Sequence, residues 1–388
     1  MKIYTGRTVW EAALARMGWL FEEFPNVVVS FSGGKDSTVV LNLALRVAAE
    51  KNRLPLKVAF VDQEAEWEAT IDYAREVMAR PTVEPWWFQM PIQLFNAASF
   101  TDQWLHCWQE GGPWMRPQED GAITANVYGT RRFKDLFEKI FAHHFPEEPA
   151  CYLAGVRSEE SPARKLAVTS QLTYKNVTWG RKLNRARGHY AFYPIHDWSY
   201  LDVWKSIHDN GWSYCRIYDA LYRHGVAPRD MRVSNLHHET AVQSLFYLQE
   251  IEPHTWDALV RRLGGINSAR HLRQAEMFGV SELPSMFGSW REYRDYLLDK
   301  LVVDRSAREA FQKRFAKMDA LYAGLPNHGL EKAQISAVLH NDFEMTKLGN
   351  FERNPLNHAL RKVRKGMALE AVRNDKYRAT IAEALRHG

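Results

Sequence analysis

The sequence predicts an α/β fold with a doubly wound, mostly parallel sheet, followed by an α-helical C-terminal domain. In the first half of the chain, short β-branched and aromatic runs alternate with amphipathic helical stretches, the pattern of a parallel sheet covered by helices. One of these runs passes through two glycines directly into a helix, as in βα units. Beyond about residue 233, helical periodicity continues without strand alternation. We therefore predict a sheet domain over residues 1–232 and a helical domain over residues 233–388.

The composition of the 388-residue chain bounds its class. The hydrophobic fraction of 46% is that of a globular protein, and no apolar run approaches the roughly 20 residues of a membrane helix. The N-terminus lacks the apolar core of a signal peptide, and the three cysteines form no Cys-x-x-Cys pair. We therefore expect a cytoplasmic protein with no membrane association, no disulfide framework, no zinc knot and no iron–sulfur cluster. The net charge of +5 suits phosphate-bearing ligands and permits nucleic acid.

The predicted elements follow one another at the spacing of a helix-covered sheet. An amphipathic lead-in helix over residues 8–24 ends at Pro25. The elements predicted next are a strand at 27–31, a helix to about 51, a strand at 56–61, a helix at 70–78, a strand at 84–90, a helix at 131–144 and a strand at 151–156. Further helical periodicities lie at about 239–248, 255–262, 290–301, 306–321 and 352–386. Ligands of such sheets bind at the carboxyl ends of the strands, so we expect the functional residues in the segments that follow the strands.

The strongest local signal is the hexapeptide Ser32-Gly33-Gly34-Lys35-Asp36-Ser37, between the first strand and its helix. Glycines let the backbone approach a ligand closely, and the start of a helix directs free N–H groups and a positive dipole end at an anion. The hexapeptide is not the common mononucleotide loop, because Lys35 precedes Asp36, and no third glycine completes a dinucleotide fingerprint. The sequence predicts a phosphate-binding turn, with an ordinary tight βα turn as the alternative.

Two further polar segments follow strands at the same predicted edge of the sheet. Asp62 and Glu64 come after the second strand, where carboxylates suit a metal ion or a ribose. Arg157 and Arg164 follow the fourth strand, and basic side chains at this position suit phosphate. For this second segment, a solvated loop with a few ion pairs is an equal alternative.

An insert rich in Gly, Pro and Trp interrupts the alternation at residues 95–129. Linkers rarely contain so many aromatic residues, so a functional lid is the better explanation. Two other stretches are basic. Residues 173–193 predict a β-hairpin with a rim of Arg and Lys, and a basic helix or tail begins at Arg361. Each of these is either a solvated surface or a contact for a partner or nucleic acid.

The hexapeptide at 32–37 resembles the Ser-x-Gly-x-Asp-Ser loop of the ATP-pyrophosphatase superfamily, whose members split ATP between its α- and β-phosphates. Residues 155–164 look like the Gly-x-Arg-x-x-Glu-Ser-x-x-Arg motif of the phosphoadenosine phosphosulfate (PAPS) reductases, which belong to that superfamily. Residues 194–198 and 214–219 are similar to the same family's Pro-Ile-x-Asp-Trp and Tyr-Asp blocks. The resemblance spans about residues 26–220 and implies an adenine nucleotide alpha hydrolase-like sheet.

The chain departs from the reductases where their nucleophilic cysteine lies. In place of the family's Glu-Cys-Gly-x-His segment, residues 231–238 read Met-Arg-Val-Ser-Asn-Leu-His-His, and no cysteine follows Cys215. Because reduction of a sulfonucleotide needs a thiolate, a self-sufficient PAPS reductase is not expected. Residues 107–117 and 218–233 resemble the IbrA-like subgroup, which has a C-terminal domain of unknown function. That resemblance implies a small ParB/sulfiredoxin-like (IbrB-like) partner.

The resemblance implies, first, an adenylating enzyme that uses ATP and Mg²⁺, releases pyrophosphate and acts on an unknown acceptor. Such catalysis rests on positioning and electrostatics and needs no side-chain nucleophile. The alternatives are sulfur transfer from PAPS with a partner's thiol, and a non-catalytic nucleotide-sensing regulator. The residues implied are Ser30, Ser32, Gly33, Gly34, Lys35, Asp36, Ser37, Asp62 and Gly155 for the nucleotide, Lys35, Asp36, Arg157 and Arg164 for catalysis, and Asp36, Asp62 and Glu64 for Mg²⁺.

Overall fold

The computed structural model describes residues 6–96, 104–233, 235–237, 242–266 and 282–387. The strands are β1 (Asn26–Phe31), β2 (Leu56–Val61), β3 (Val83–Phe88), β4 (Ile92–Phe95), β5 (Trp104–Cys107), β6 (Ala150–Leu153), β7 (Gly180–Asn184) and β8 (His189–Phe192). The helices are α1 (Val9–Glu23), α2 (Lys35–Glu50), α3 (Glu68–Met78), α4 (Phe133–His144), α5 (Pro162–Thr169), α6 (Tyr200–Asp209), α7 (Ile217–Arg223), α8 (Val242–Ile251), α9 (Pro253–Arg262), α10 (Trp290–Leu301), α11 (Arg305–Tyr322), α12 (Gly329–Leu339), α13 (Thr346–Arg353), α14 (Pro355–Arg364) and α15 (Asp375–His387).

A six-stranded sheet organises the first part of the chain, in the order β3-β2-β1-β6-β8-β7. β1 lies parallel to β2 on one side and to β6 on the other, so that Val28 is opposite both Lys57 and Tyr152. β7 runs antiparallel to β8 at one edge. The prediction of a mostly parallel sheet with flanking helices is confirmed.

The centre of this sheet forms because β1 is a run of β-branched residues that is buried on both faces. Val28 and Val29 are fully buried, as expected for a strand inside a parallel sheet. α1 begins with a capping box, in which Thr8 and Glu11 satisfy each other's backbone N–H groups, and it packs against α2 and β1. The predicted lead-in helix and first βα unit are therefore confirmed.

The fourth strand ends earlier than the sequence predicts. We expected it to reach residue 156, but β6 ends at Leu153. The chain then crosses the start of α2 so closely that a Cβ on Gly155 would lie 2.7 Å from the carbonyl carbon of Asp36. Leaving the sheet is what brings the following Arg157 to the start of α2.

The predicted basic hairpin is present as β7 and β8. Its outer strand, β7, is an edge strand, and the exposed Arg181 and Lys182 on it discourage pairing with another chain. Lys175, which precedes the hairpin, forms a salt bridge with Glu23 of α1 at 2.6 Å. These charges therefore have structural explanations, and a role in nucleic-acid binding stays a prediction.

The described residues form two compact units. One contains the six-stranded sheet with helices α1–α9, and the other contains α10–α15 together with Phe95, Asn96 and His237. The division into domains at residue 232 stays a prediction, although α8 and α9 belong to the unit with the sheet. Of the predicted elements and motifs, residues 97–103, Ser234 and residues 238–241, which include the start of the helix predicted at 239–248, lie outside the described residues.

The helical unit confirms the helices predicted at 290–301 and 306–321. The periodicity at 352–386 does not form one helix, because Pro355 begins α14 and Gly366, at φ +103°, follows its end. Arg294 is buried in this unit and donates to Asp319 and Gln334. Across the described ranges, no helix is both long and apolar enough to cross a bilayer.

Candidate functional site

The turn between β1 and α2 requires glycine for two reasons. Gly33 adopts a φ of +71°, a left-handed conformation that is costly for other residues. A Cβ at this position would also lie 2.6 Å from the Cγ2 atom of Thr70, in the first turn of α3. Gly34 then precedes α2 without a side chain to cap the helix. The sequence at this turn therefore leaves the start of α2 uncovered by its own side chains.

The backbone N–H groups at this turn are the main chemical feature of the site. Within the described part of the chain, the amides of Gly33, Gly34, Asp36 and Ser37 have no hydrogen-bond acceptor. The Lys35 amide donates to the Tyr218 hydroxyl at 2.9 Å. Free amides at the positive end of a 16-residue helix form a site for an anion such as phosphate.

The loop serines hold the turn in shape. Ser32 donates from its amide and its hydroxyl to the Ser37 hydroxyl, at 3.2 and 3.1 Å. Ser37 in turn donates to the carbonyl oxygen of Gly34 at 2.9 Å. Ser30 lies two residues before Ser32, in β1, opposite Ala59 of β2. The predicted loop residues are therefore contiguous, and the two hydroxyls form one network.

Three charged groups meet at the start of α2. Asp36 receives the Nε–H of Arg157 at 2.5 Å and lies 3.4 Å from the Lys35 ammonium. The Lys35 and Arg157 side chains are almost completely buried, and burial lowers the pKa of Lys35, although Asp36 opposes that effect. The Lys35 Nζ also donates to the carbonyl oxygen of Met231 at 3.0 Å. A fourth group, the half-exposed Glu159, pairs with Arg157 at 3.3 Å, so two cations are balanced by two carboxylates beside the amides.

The structure brings three of the four predicted catalytic residues together, namely Lys35, Asp36 and Arg157. Arg164 is half-exposed and pairs with Glu160 at 3.1 Å. Glu160 also accepts from the Arg157 amide, which is the connection that the structure shows between Arg164 and the cluster.

Asp62, at the end of β2, is fully buried and surrounded by donors. Its carboxylate accepts from the Arg116 guanidinium at 2.5 Å, from the Trp87 indole at 3.0 Å and from the Gln89 amide at 2.9 Å. The amide of Glu64 adds a further hydrogen bond at 2.9 Å. This carboxylate therefore holds the insert, through Arg116, against the sheet.

Glu64 is equally enclosed. It adopts a φ of +63°, and its carboxylate pairs with Arg262 of α9 at 2.5 Å and accepts from the Trp108 amide at 2.9 Å. Among the described residues, no group of three or more His, Cys, Asp or Glu side chains could hold a metal ion. The geometry favours a structural role for Asp62 and Glu64. Their role in Mg²⁺ binding stays a prediction. Asp36 is the partly accessible member of the predicted set.

The insert folds onto this acidic segment. Trp108 is fully buried and donates from its indole to the carbonyl oxygen of Asp62 at 2.8 Å. The Arg116 guanidinium lies over the Trp108 ring. A segment packed in this way is part of the sheet-containing unit, which argues against a linker. Whether it also acts as a lid stays a prediction.

Sequence reasoning missed the residues that complete these networks. Sequence spacing gives no role to Arg116, Arg262 or Tyr218. Their partners lie 54, 198 and 183 residues away along the chain. Tyr218 had one available signal, since it belongs to the Tyr-Asp block. Nothing in the local sequence indicates Arg262 as the partner of Glu64.

The cysteines provide no reactive thiolate. Cys107, Cys151 and Cys215 are all fully buried and reduced. Burial raises the pKa of each thiol, that of Cys215 to about 12. This agrees with the sequence-based argument that the chain does not supply its own nucleophilic sulfur.

The chain matches two protein-family models. The model described as the phosphoadenosine phosphosulfate reductase domain matches residues 26–110 and 118–269, which is more than half of the chain. The chain belongs to this family. A second model, a domain of unknown function (DUF3440), matches residues 225–375. A PAPS reductase domain followed by this domain is the arrangement of the IbrA-like proteins, which confirms the resemblance inferred from the sequence. Family membership and the loop geometry fit nucleotide-binding chemistry.

Curated relatives include an uncharacterized Escherichia coli (strain K12) protein, YbdN, at 31% identity over 69% of this chain and 68% of that protein. Sulfate adenylyltransferase subunit 2 of Streptomyces lavendulae is 28% identical over 48% of this chain, which spans about half of that relative's length.

Solved structures to which the chain shows similarity include a Candida auris PAPS reductase in a phosphate complex, with a TM-score of 0.32 at 16% identity, covering 60% of this chain and 89% of that chain. Another is Candida glabrata FMN adenylyltransferase in complex with ATP, with a TM-score of 0.34 at 12% identity, covering 56% of this chain and 62% of that chain.

Proposed function

We propose that this protein is an ATP-dependent adenylating enzyme that cleaves ATP between its α- and β-phosphates. The observation that supports this most directly is the turn at residues 32–37, where four amides lack an acceptor among the described residues. They lie beside the two buried cations Lys35 and Arg157, which pair with Asp36. Amides and cations in this arrangement suit a polyphosphate. Family membership supports an adenine nucleotide as its source.

In this proposal the β- and γ-phosphates lie on the amides of the turn, and Arg157 and Lys35 offset the charge that develops on the leaving group. An oxygen of the acceptor forms a bond to the α-phosphorus, and the bond from that phosphorus to the α,β-bridging oxygen breaks. Pyrophosphate leaves with the electron pair, and the acceptor's proton passes to solvent. No residue of the chain forms a covalent intermediate.

A magnesium ion fits this site through Asp36, the acidic residue of the cluster with some access to solvent. The ion would shield charge on the phosphates, as Mg²⁺ does when it is bound by one or two carboxylates together with substrate phosphates. To serve in this way, Asp36 would share its carboxylate between the ion and Arg157.

The test measures pyrophosphate released from ATP and Mg²⁺ in the presence of candidate acceptors. We expect the wild-type protein to release pyrophosphate and Asp36→Ala to lose this activity by at least about a hundredfold, because it removes the carboxylate that orders Lys35 and Arg157. Glu50→Ala is the matched control, since Glu50 is an exposed acid at the other end of α2 that pairs with Arg46 at 3.2 Å. Release of orthophosphate alone would show that the assignment is wrong.

A second candidate is the binding of a sulfonucleotide, such as PAPS, with a thiol supplied by a partner. The match to the PAPS reductase domain favours it, and the burial of all three cysteines makes an external thiol necessary. Competition between ATP and adenosine 3′,5′-bisphosphate for the protein distinguishes the two. Clear preference for the 3′-phosphorylated nucleotide supports the second candidate, whereas nucleotide binding without turnover supports a sensing role.

The partners expected from the sequence stay proposals. We propose a small ParB/sulfiredoxin-like protein as the partner, on the resemblance to the IbrA-like subgroup. Nucleic acid is a further candidate for the basic surfaces at residues 181–187 and 361–365. Arg187 and Arg364 are less suited than the others, because each donates to backbone carbonyl oxygens of the protein itself.

A further inference from the structure

The unit that contains the sheet has a cavity that lies outside the turn at residues 32–37. It has a volume of about 360 Å³ and lies where the segment after β2, the insert and the junction of α8 with α9 meet. Met115, Ile251 and Ala258 give it an apolar wall, and Glu66 and Arg116 supply buried polar groups. A cavity of this size accommodates a small molecule. Polar and apolar groups are about equally represented, because the remaining lining residues are Glu68, Glu252, Pro253, His254 and Thr255.

Glu66 is the lining carboxyl group that is least compensated. It is 6% exposed, and its hydrogen bonds come from two neutral donors, the side-chain amide of Asn235 at 2.6 Å and the backbone of Gln63. The other acids on the lining have partners: Glu68 pairs with Arg75 at 3.0 Å, and Glu252 accepts from the amides of Glu68 and Ala69. A buried carboxyl group in this position is stabilised when a cation enters beside it.

Arg116 does not supply that cation, because its terminal nitrogens are already used. They donate to the Asp62 carboxylate and to the carbonyl oxygen of Glu64. The Nε–H group of Arg116 has no acceptor in the part of the chain that the structure describes, and the side chain is only 10% exposed. Buried donors of this kind normally have a partner. An oxygen atom of a molecule in the cavity would provide it.

We propose that this cavity binds a small organic cation that also carries a neutral oxygen, with an amino alcohol as the simplest member of the class. The ammonium group pairs with Glu66, the oxygen accepts from the Nε–H of Arg116, and the carbon chain lies on Met115 and Ile251. A carboxylate is disfavoured in place of the neutral oxygen, because the lining already includes the carboxyl groups of Glu66, Glu68 and Glu252.

This site stands apart from the nucleotide proposal, since no residue of the phosphate turn lines the cavity. The two are nevertheless neighbours. The first turn of α3 meets Gly33 through Thr70, and its amides hold Glu252 on the cavity wall. The first turn of α3 therefore contacts both the loop at residues 32–37 and the wall of the cavity.

The experiment titrates the full-length protein by calorimetry with three matched probes: aminohexanol, hexanediol without the ammonium group, and hexylamine without the oxygen. We expect aminohexanol to bind most tightly, and we expect Glu66→Gln to weaken it at least about tenfold, the effect of losing one charged hydrogen bond. Glu68→Gln is the matched control, because Glu68 is half-exposed and paired with Arg75, and it should change the affinity less than threefold.

Three results would overturn the proposal: no binding of aminohexanol at millimolar concentration, equal binding of hexanediol, or unchanged binding by a folded Glu66→Gln variant. The far-UV circular dichroism spectrum of that variant, compared with the wild-type spectrum, reports whether it is folded. Should the variant not fold, the ranking of the three probes on the wild-type protein still decides the question. Failure of the protein to bind ATP would contradict the proposed function and leave this site unaffected.

Discussion

The segments that follow β1 and β2 lie on neighbouring parallel strands and end at the same edge of the sheet, yet they differ in one respect. After β1, four backbone amides have no acceptor among the residues that the structure describes. After β2, Asp62 and Glu64 are fully buried and each accepts several hydrogen bonds from the protein itself. Polar groups left without partners indicate where a ligand binds, whereas polar groups that are fully paired indicate what holds the site together.

The largest expected effect is on stability, and it concerns Asp62 in the segment after β2. Asp62→Ala leaves the buried Arg116 guanidinium and the Trp87 and Gln89 donors without their acceptor, which should cost about 3–5 kcal/mol in the free energy of unfolding. Asp36→Ala should cost clearly less, because Asp36 is partly accessible to solvent. Urea denaturation of the two variants measures the loss in the free energy of unfolding for each. Equal losses would remove the distinction between the two segments.

The next effect depends on pH and concerns Glu66. Burial, with repulsion from Asp62, raises the pKa of this carboxyl group to about 8, while Arg116 opposes the shift. In the unfolded chain the group ionises near its ordinary value of 4.5. The folded state therefore keeps a proton that the unfolded state loses, and stability falls as the pH rises from about 4.5 to about 8.

Glutamine does not titrate, so the stability of Glu66→Gln relative to the wild-type protein should improve across that range. The relative gain should be on the order of 3 kcal/mol between pH 5 and pH 8, because each pKa unit corresponds to about 1.4 kcal/mol. Chemical denaturation at both pH values provides the measurement. A difference that does not change with pH would show that the carboxyl group is ionised in the folded protein.

The smallest expected effect compares two glycines. Gly33→Ala should destabilise the protein by about 1–3 kcal/mol and weaken nucleotide binding, because alanine at φ +71° is strained and its Cβ meets Thr70. Gly18→Ala, in the middle of α1 with open space around the added carbon, should stabilise the protein by up to about 1 kcal/mol. Thermal unfolding and ATP binding of both variants test this. Similar behaviour of the two would mean that the turn tolerates a side chain.

The sequence predicted the sheet and the phosphate turn because both depend on local patterns. A β-branched strand, two glycines and a helix start are contiguous, so Ser32 to Ser37 could be placed without knowing what surrounds them. The assignment of Asp62 and Glu64 to Mg²⁺ depended on the absence of internal partners. Those partners, Arg116 and Arg262, come from the insert and from α9, and only the folded chain brings them to β2.

Arg164 illustrates a different limit. It matched a family motif, but its near neighbour Glu160, four residues earlier, forms an ion pair with it. Local pairing of this kind can be read from sequence spacing, and it competes with any role at a distance. Arg157 could not be separated from Arg164 by spacing. The close passage of Gly155 across α2 is what places Arg157, and not Arg164, beside Asp36.

The Lys35 ammonium donates to the carbonyl oxygen of Met231. This hydrogen bond connects the turn at residues 32–37 to residues 225–269, where the two family models overlap. The ammonium has three N–H donors, so it can hold that carbonyl oxygen and contact a phosphate at the same time. On the proposed function, one side chain would then connect the terminal phosphates of the nucleotide to the backbone at the start of the second family's region.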